Sequence, residues 1–166
     1  MESKYDEHDQ VTSQPPDQSE AITLPPFIYG SALVIGLLIS VFIAIPIMPE
    51  PFAFGLGTLL VVSSAPLVIF SMRALARVKT AIDVRKPTTS IVATGPYRFS
   101  RNPIYVAMTL LYLGIALVTN SIATLALVIP TLMVMHWGVI LREEQYLERK
   151  FGEEYRAYKR RVRRWI

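Results

Sequence analysis

The amino-acid sequence predicts an all-α, polytopic membrane protein of about four transmembrane helices, followed by an amphipathic helix at the C-terminal end. Three observations carry this. Of 166 residues, 52% are hydrophobic and 18% charged, and the charges are gathered into a few stretches rather than spread over a surface, which is a membrane signature. Lys, Arg, Asp and Glu are absent from four apolar runs, residues 27–48, 52–72, 104–119 and 122–141. The tail from Arg142 then switches to an apolar spacing of three and four, the period of a helix with one buried face.

The length fits one domain. The net charge of +4 comes from Lys and Arg that mostly flank the apolar runs, so it reads as topology information and not as affinity for nucleic acid. No cysteine is present, which removes disulfides, thiolate catalysis and Cys-based metal sites; no metal site is predicted. Residues 1–26 carry six acids against Lys4 alone, with Pro15-Pro16 and Pro25-Pro26. That composition predicts a disordered acidic tail, with His8 as an ordinary solvated histidine, and lacks the form of a cleaved signal peptide. Residues 27–166 are expected to form a single membrane domain.

Each run matches about 30 Å of hydrocarbon to a different degree. The first, residues 27–48, contains Gly30, Ser31, Gly36 and Ser40, small residues that suit close helix contacts. Pro49-Glu50-Pro51 is so short a link that the second run, residues 52–72, must return beside the first. Gly55-Leu56-Gly57 within it has no preceding strand and no third glycine in place, so it is not a dinucleotide fingerprint. From Arg73 the chain is polar and basic, and the second helix has the composition to continue past the membrane until Pro87 at the latest, with Thr88 to Thr94 extended. The third run, residues 104–119, is short for a span, and Asn120-Ser121 turns the chain tightly into the fourth. The fourth, residues 122–141, has a kink predicted at Pro130 and an ionisable His136 near its end.

Arginine and lysine counts orient the spans. The links 49–51 and 120–121 carry none, the segment 73–101 carries seven and the tail from Arg142 carries nine. Four spans place both basic segments and the N-terminus on the cytoplasmic side, of a bacterial plasma membrane or of the endoplasmic reticulum.

Chemistry is concentrated in Gly95-Pro96-Tyr97-Arg98-Phe99-Ser100-Arg101-Asn102-Pro103-Ile104-Tyr105, within and just beyond the cytoplasmic loop 73–103. Gly95-Pro96 stops regular structure and Pro103 suits the first turn of a helix. Between them stand two arginines, an amide and aromatic hydroxyls, more hydrogen-bonding capacity than a connector requires. In the tail 142–166, Leu147, Phe151, Tyr155, Tyr158, Val162 and Trp165 form one face, Lys159 to Arg164 a basic one, and Gly152 divides the pattern. A helix lying on anionic lipid accounts for the basic face, each such residue contributing roughly 1 kcal/mol. It does not account for Glu143-Glu144, a carboxylate pair where the fourth span ends.

Gly95-Pro96-Tyr97-Arg98, Arg101-Asn102-Pro103-Ile104-Tyr105, Glu143-Glu144 and Phe151-Gly152-Glu153-Glu154-Tyr155 with Tyr158 together resemble the isoprenylcysteine carboxyl methyltransferase family, which belongs with the phospholipid methyltransferases among integral-membrane enzymes. The resemblance covers roughly residues 88–166, about half the chain. It implies a methyltransferase using S-adenosyl-L-methionine on a lipophilic small-molecule or lipid-linked acceptor, with the C-terminal helix closing the cofactor pocket. By position, that pocket would fall on Thr89, Ser90, Ile91, Val92, Tyr97, Asn102, Pro103, Ile104, Tyr105 and Glu143. Two departures bear on the acceptor: Asn102 stands where the prenylcysteine branch usually has His, and Val139 where that branch has a substrate-binding Arg, a role for which Arg142 is the nearest substitute.

The residue types agree with a methyl donor. A sulfonium is a permanent cation suited to the Glu143 carboxylate and to the faces of Tyr97 or Tyr105, and the donor's carboxylate needs a cation such as Arg98 or Arg101. Methyl transfer is an in-line displacement that asks for alignment and exclusion of water. An amine or hydroxyl acceptor also needs a base, for which Glu144 and His136 are the candidates, whereas a carboxylate acceptor needs none. Two rival readings stand beside this one: an NADPH-dependent reductase, since membrane sterol reductases resemble the family in their C-terminal halves, and a non-catalytic lipid-binding membrane protein.

Overall fold

A computed structural model describes residues 21–78 and 88–166. Residues 1–20 of the expected disordered tail, with His8, and the stretch 79–87 with Pro87 lie outside the described residues; residues 21–26 of that tail are described and do not fit the expectation, since Pro25 and Pro26 already belong to the first helix and Ile22 N–H donates to the Gly138 carbonyl. The fold is all-α, with no strand among the described residues and one isolated parallel bridge between Ser100 and Arg163. Three helical stretches are long and apolar enough to cross a membrane, Pro25–Phe42, Glu50–Arg77 and Ile122–Phe151, and a shorter apolar helix lies at Pro103–Val118.

Helix α1, Pro25–Phe42, starts two residues earlier than the apolar run and ends six residues before its end at Met48. Pro25 and Pro26 sit in its first turn, where no intrahelical N–H is needed. Pro46 sets the end: it has no N–H for the carbonyl of Phe42, and its ring disfavours helical backbone before it. The side-chain amide of Asn120 takes over, accepting from the N–H groups of Ile47 and Met48 at 2.9 and 3.2 Å and donating to the Met48 carbonyl at 2.9 Å. Helix α2, Glu50–Arg77, runs past its apolar end at Met72 into the basic segment. Its 28 residues make about 42 Å at 1.5 Å per residue.

Helix α3, Pro103–Val118, packs along α2 more closely than any other pair of helices. The crossing is at Gly57 and Gly114. A Cβ on Gly57 would fall 2.7 Å from the Val118 nitrogen and 2.8 Å from the Gly114 oxygen, and one on Gly114 2.9 Å from the Gly57 oxygen. The two backbones touch there, and any side chain would part them.

The fourth apolar run begins as α4, Ile122–Ala126, and resumes as α5, Val128–Met135, with the break at Leu127. Pro130 is the cause, having no N–H for the Ala126 carbonyl. A π-helical turn follows over His136–Ile140, then α6, Leu141–Phe151. The wide turn leaves the Gly138 carbonyl to accept from Ile22 at 3.1 Å, tying the chain before α1 to this point. An extra residue in a helical turn also rotates everything after it relative to an unbroken helix.

The C-terminal helix expected over residues 142–166 is not one continuous helix; it divides at Gly152, where the sequence pattern divides. Helix α6 is the continuation of the fourth run, Gly152 breaks the chain at φ 54° and ψ −122°, α7 covers Glu153–Arg161, and Val162 returns to extended backbone. Residues 162–164 then run beside Ser100–Asn102, with Arg101 N–H donating to the Arg163 carbonyl at 2.9 Å. The aromatic face of the tail is also turned inward: Tyr155, Tyr158 and Val162 are buried against Ile91, Leu147 and Phe151 rather than presented to lipid. The main core lies among the helices around Tyr29, Tyr105, Tyr112, Met135, Val139 and Ile140, with Trp165 packed on it.

Candidate functional site

A cavity of about 400 Å³, within the range of small-molecule pockets, opens where the chain before α1, the end of α2, the 88–105 segment, α6 and α7 converge. The sequence between α2 and α3 folds tightly to reach it. Gly95–Arg98 makes a 3₁₀ turn, Phe99 and Ser100 N–H both donate to the Pro96 carbonyl, and Ser100 Oγ accepts from Asn102 N–H at 3.1 Å. Pro103 then opens α3, placing Ile104, Tyr105 and Met108 on the cavity wall.

Of the residues marked out in the sequence, Ser90, Ile91, Val92, Tyr97, Arg101, Asn102, Pro103, Ile104, Tyr105, Glu143 and Glu144 line this cavity. Thr89 lies between two lining neighbours, Thr88 and Ser90, without lining it itself. His136 and Arg142 are elsewhere. His136 is half-exposed in the π turn, its ring edge-on to Trp137 at 5.4 Å, and Arg142 is on the exposed side of α6. Of the three residues considered for catalysis only Glu144 reaches the cavity. Arg98, weighed as an anion partner, is exposed and outside the wall, and Val139 is fully buried in the helix core.

The two glutamates have different surroundings. Glu143 accepts from the Tyr105 hydroxyl at 3.0 Å. Glu144 is buried and held by two guanidiniums: Arg101 Nη2 donates to Oε1 at 2.7 Å, and Arg164 donates from Nε to Oε1 at 2.9 Å and from Nη2 to Oε2 at 2.8 Å. Such forked, charge-assisted bonds are strong, and they take three of the roughly four lone-pair sites of the carboxylate, leaving it ill suited to act as a base. Hydrogen bonding to Glu144 holds the Arg164 guanidinium above its usual range.

Arg101 is anchored further by Nη1, which donates to the carbonyls of Lys159 and Val162 at 3.1 and 3.3 Å. Its Nε–H is buried without a partner among the described residues. A buried orphan donor on a cation is costly, and Arg101 is among the residues that line the cavity. The aromatic wall is neutral: burial first, then the Glu143 charge, push the Tyr97 hydroxyl well up, and burial pushes Tyr158 up to about 12 against the lowering effect of Arg101. Tyr158 donates to the Tyr97 carbonyl at 2.8 Å, fastening α7 to the 3₁₀ turn.

Sequence reasoning missed the wall supplied by Leu24, Pro25, Pro26, Met72, Leu75 and Met108, and gave Leu147, Tyr155 and Tyr158 as an apolar face or part of a motif without assigning them to the pocket. The Pro25-Pro26 helix start and the continuation of α2 beyond Met72 were the available signals. Neither says which way those ends lean.

Fold and cavity together define a helical membrane protein with a small-molecule-sized cavity at one end of its helices. A family model described as phospholipid methyltransferase matches residues 52–154, and the chain belongs to that family, whose members are membrane methyltransferases. This takes the methyltransferase reading over the reductase and the lipid-binding protein. The chain is similar to an uncharacterized protein of Haemophilus influenzae, 45% identical over 64 residues, which are 38% of this chain and all of that protein. It is also similar to the cobalt-zinc-cadmium resistance protein CzcN of Cupriavidus metallidurans, 36% identical over 49% of this chain and 37% of that protein. The nickel-cobalt-cadmium resistance protein NccN of Alcaligenes xylosoxydans xylosoxydans is 34% identical over 41% and 32%. The aligned regions thus cover about a third of the length of each of the two resistance proteins.

Proposed function

We propose that this protein is an S-adenosyl-L-methionine-dependent methyltransferase acting on a lipophilic or lipid-linked acceptor at the membrane boundary. The observation that carries the reading is one cavity lined by both a tyrosine-held carboxylate, Glu143, and an arginine, Arg101, whose buried Nε–H has no partner among the described residues. That donor set fits a ligand bearing a cation and a carboxylate on one small frame. When bound, S-adenosyl-L-methionine supplies a methyl group on a cationic sulfonium, open to attack by an acceptor lone pair.

The chain's own residues divide the work. Glu143 opposes the positive charge and Tyr105 fixes its carboxylate; the neutral rings of Tyr97 and Tyr105 add electron-rich faces. Arg101 and Asn102 receive the polar end, and Ser90 to Val92 wall the cavity beside Tyr97. Ile91, Val92, Ile104 and Leu147 exclude water, which strengthens these interactions. Glu144 holds Arg101 in place rather than taking a proton. An acceptor that must lose a proton has Glu143, the cavity carboxylate whose hydrogen bond comes from a tyrosine and not from a guanidinium. His136 and Arg142 take no part.

The proposed setting is a single domain, residues 27–166, crossing the membrane four times with both termini cytoplasmic, in a bacterial plasma membrane or the endoplasmic reticulum. Helix α3, 16 residues or about 24 Å, spans by drawing the cavity into the interface. The apolar wall of Pro25, Pro26, Met72, Leu75 and Met108 admits an acceptor sideways from lipid, while the cofactor arrives from the cytoplasm. The exposed basic side of the tail faces anionic headgroups.

Calorimetry on detergent-solubilised protein tests this. S-adenosyl-L-methionine is expected to bind, NADPH is not, and Glu143→Ala combined with Tyr105→Ala is expected to weaken binding of the first. Binding of NADPH alone, or full affinity in the double variant, removes the reading.

A further inference from the structure

In the sequence Arg164 is one of the residues of the tail's basic face, but the structure turns its guanidinium onto the buried Glu144. The Arg164 backbone carbonyl accepts from Asn102 Nδ2 at 3.0 Å and from Ser100 Oγ at 3.3 Å. Its guanidinium grips Glu144 through two nitrogens, while Arg101 reaches the same carboxylate from the other side with one. The side chains of Arg101 and Glu144 are only 8% and 6% exposed, and that of Arg164 28%.

Two guanidiniums share one carboxylate, so the cluster keeps one net positive charge, with the Arg101 and Glu144 side chains almost fully buried beside the cavity. In that setting a unit charge acts far more strongly than at a surface. With Arg164 removed, Glu144 would neutralise Arg101 and turn its spare lone pairs toward any incoming anion.

We propose that Arg164 is a positioning residue for the anionic end of the ligand. By taking two of the hydrogen bonds that Glu144 accepts and balancing its charge, it leaves Arg101 with uncompensated positive charge for the carboxylate of the cofactor's amino-acid moiety. The inference rests on the methyltransferase reading above, and adds to it a residue from the far end of the chain that acts through Glu144 and Arg101.

Two probes separate this role from mere support of the fold. S-adenosylhomocysteine and 5′-methylthioadenosine share the adenosine and a thioether, and only the first carries the amino-acid end. In calorimetry on the full-length protein in detergent, the wild type is expected to prefer the first. Arg164→Met is expected to weaken S-adenosylhomocysteine about tenfold, the equivalent of about 1.4 kcal/mol, with 5′-methylthioadenosine unchanged. Adding Glu144→Gln to Arg164→Met removes the negative charge that Arg164 had balanced and is expected to restore the preference.

Equal weakening of both probes by Arg164→Met would show a structural role and overturn the proposal, as would no change in either. If Arg164→Met alone does not yield folded protein, the double variant decides: a retained preference supports the charge argument and a lost one refutes it. A folded wild type that binds neither probe defeats the cofactor reading itself, and this inference with it. A wild type that binds both equally defeats this inference alone.

Discussion

Glu143→Gln is the perturbation that most directly isolates charge from shape. Glutamine keeps the volume of the side chain and an oxygen to accept from the Tyr105 hydroxyl, now 3.0 Å from Oε2, so the wall is preserved while the negative charge is lost. Two opposite charges about 4 Å apart at an effective dielectric of about 20 attract by about 4 kcal/mol. Desolvation of the carboxylate offsets part of that, leaving about 1.4–2.8 kcal/mol, or about ten- to a hundredfold in affinity. S-adenosyl-L-methionine carries a sulfonium and S-adenosylhomocysteine a neutral thioether, and the two are otherwise nearly the same molecule. Calorimetry of both against wild type and Glu143→Gln is expected to show the loss for the cationic ligand alone, the neutral one changing by less than about threefold, roughly 0.6 kcal/mol. A parallel fall for both ligands, or none for either, would refute the assignment of Glu143 to the positive centre.

Two further outcomes follow from the fold. Gly114→Val forces a branched side chain where even a Cβ lies 2.7 Å from Val61 Cγ2 and 2.9 Å from the Gly57 carbonyl oxygen; overpacking of this kind costs about 1–3 kcal/mol or more. Thermal unfolding in detergent should show a lower midpoint, whereas an unchanged one would refute the close crossing of α2 and α3. The pH dependence concerns Tyr158, whose hydroxyl is held at about 12 in the folded protein against about 10 when unfolded. A raised value means that this contribution is fully present below about pH 10 and is lost as pH rises toward about 12, because the unfolded chain releases its proton first. Melting curves across that window should steepen less in Tyr158→Phe, and identical pH slopes would contradict the burial of this hydroxyl.

The motifs were legible as a set because they are local. Gly95-Pro96, Pro103 and the adjacent Glu143-Glu144 carry turn, helix start and charge within a few residues, and the residues that the family resemblance assigned to a pocket, Thr89 apart, line one cavity. What failed was longer in range or subtler in backbone. Pro46 was overlooked within an apolar run, so α1 was drawn too long, although the missing N–H was readable. His136, a candidate as an ionisable residue in a span, and Arg142, the nearest substitute for the family's substrate-binding Arg, do not line the cavity that Glu144 reaches. On a helix, neighbours point about 100° apart, and a π turn at His136–Ile140 changes the phase besides. The aromatic face of α7 was legible, but its direction was not, since a face suited to lipid and a face suited to a protein core have the same spacing.

By itself the sequence determined that the chain is helical and lipid-soluble, where its turns and its basic segments lie, and that its polar chemistry is concentrated at Tyr97 to Tyr105 and at Glu143-Glu144. Each of these follows from short-range sterics, hydropathy and charge. Only the tertiary structure decided that the two glutamates part company, Glu143 to Tyr105 and Glu144 to Arg101 and Arg164, and that Gly57 serves a helix crossing. It also decided that the last residues run beside the motif from which they are separated by some sixty positions. Those outcomes depend on which side chains meet across the fold, where burial makes each buried charge find a partner, and no local pattern encodes which partner that will be.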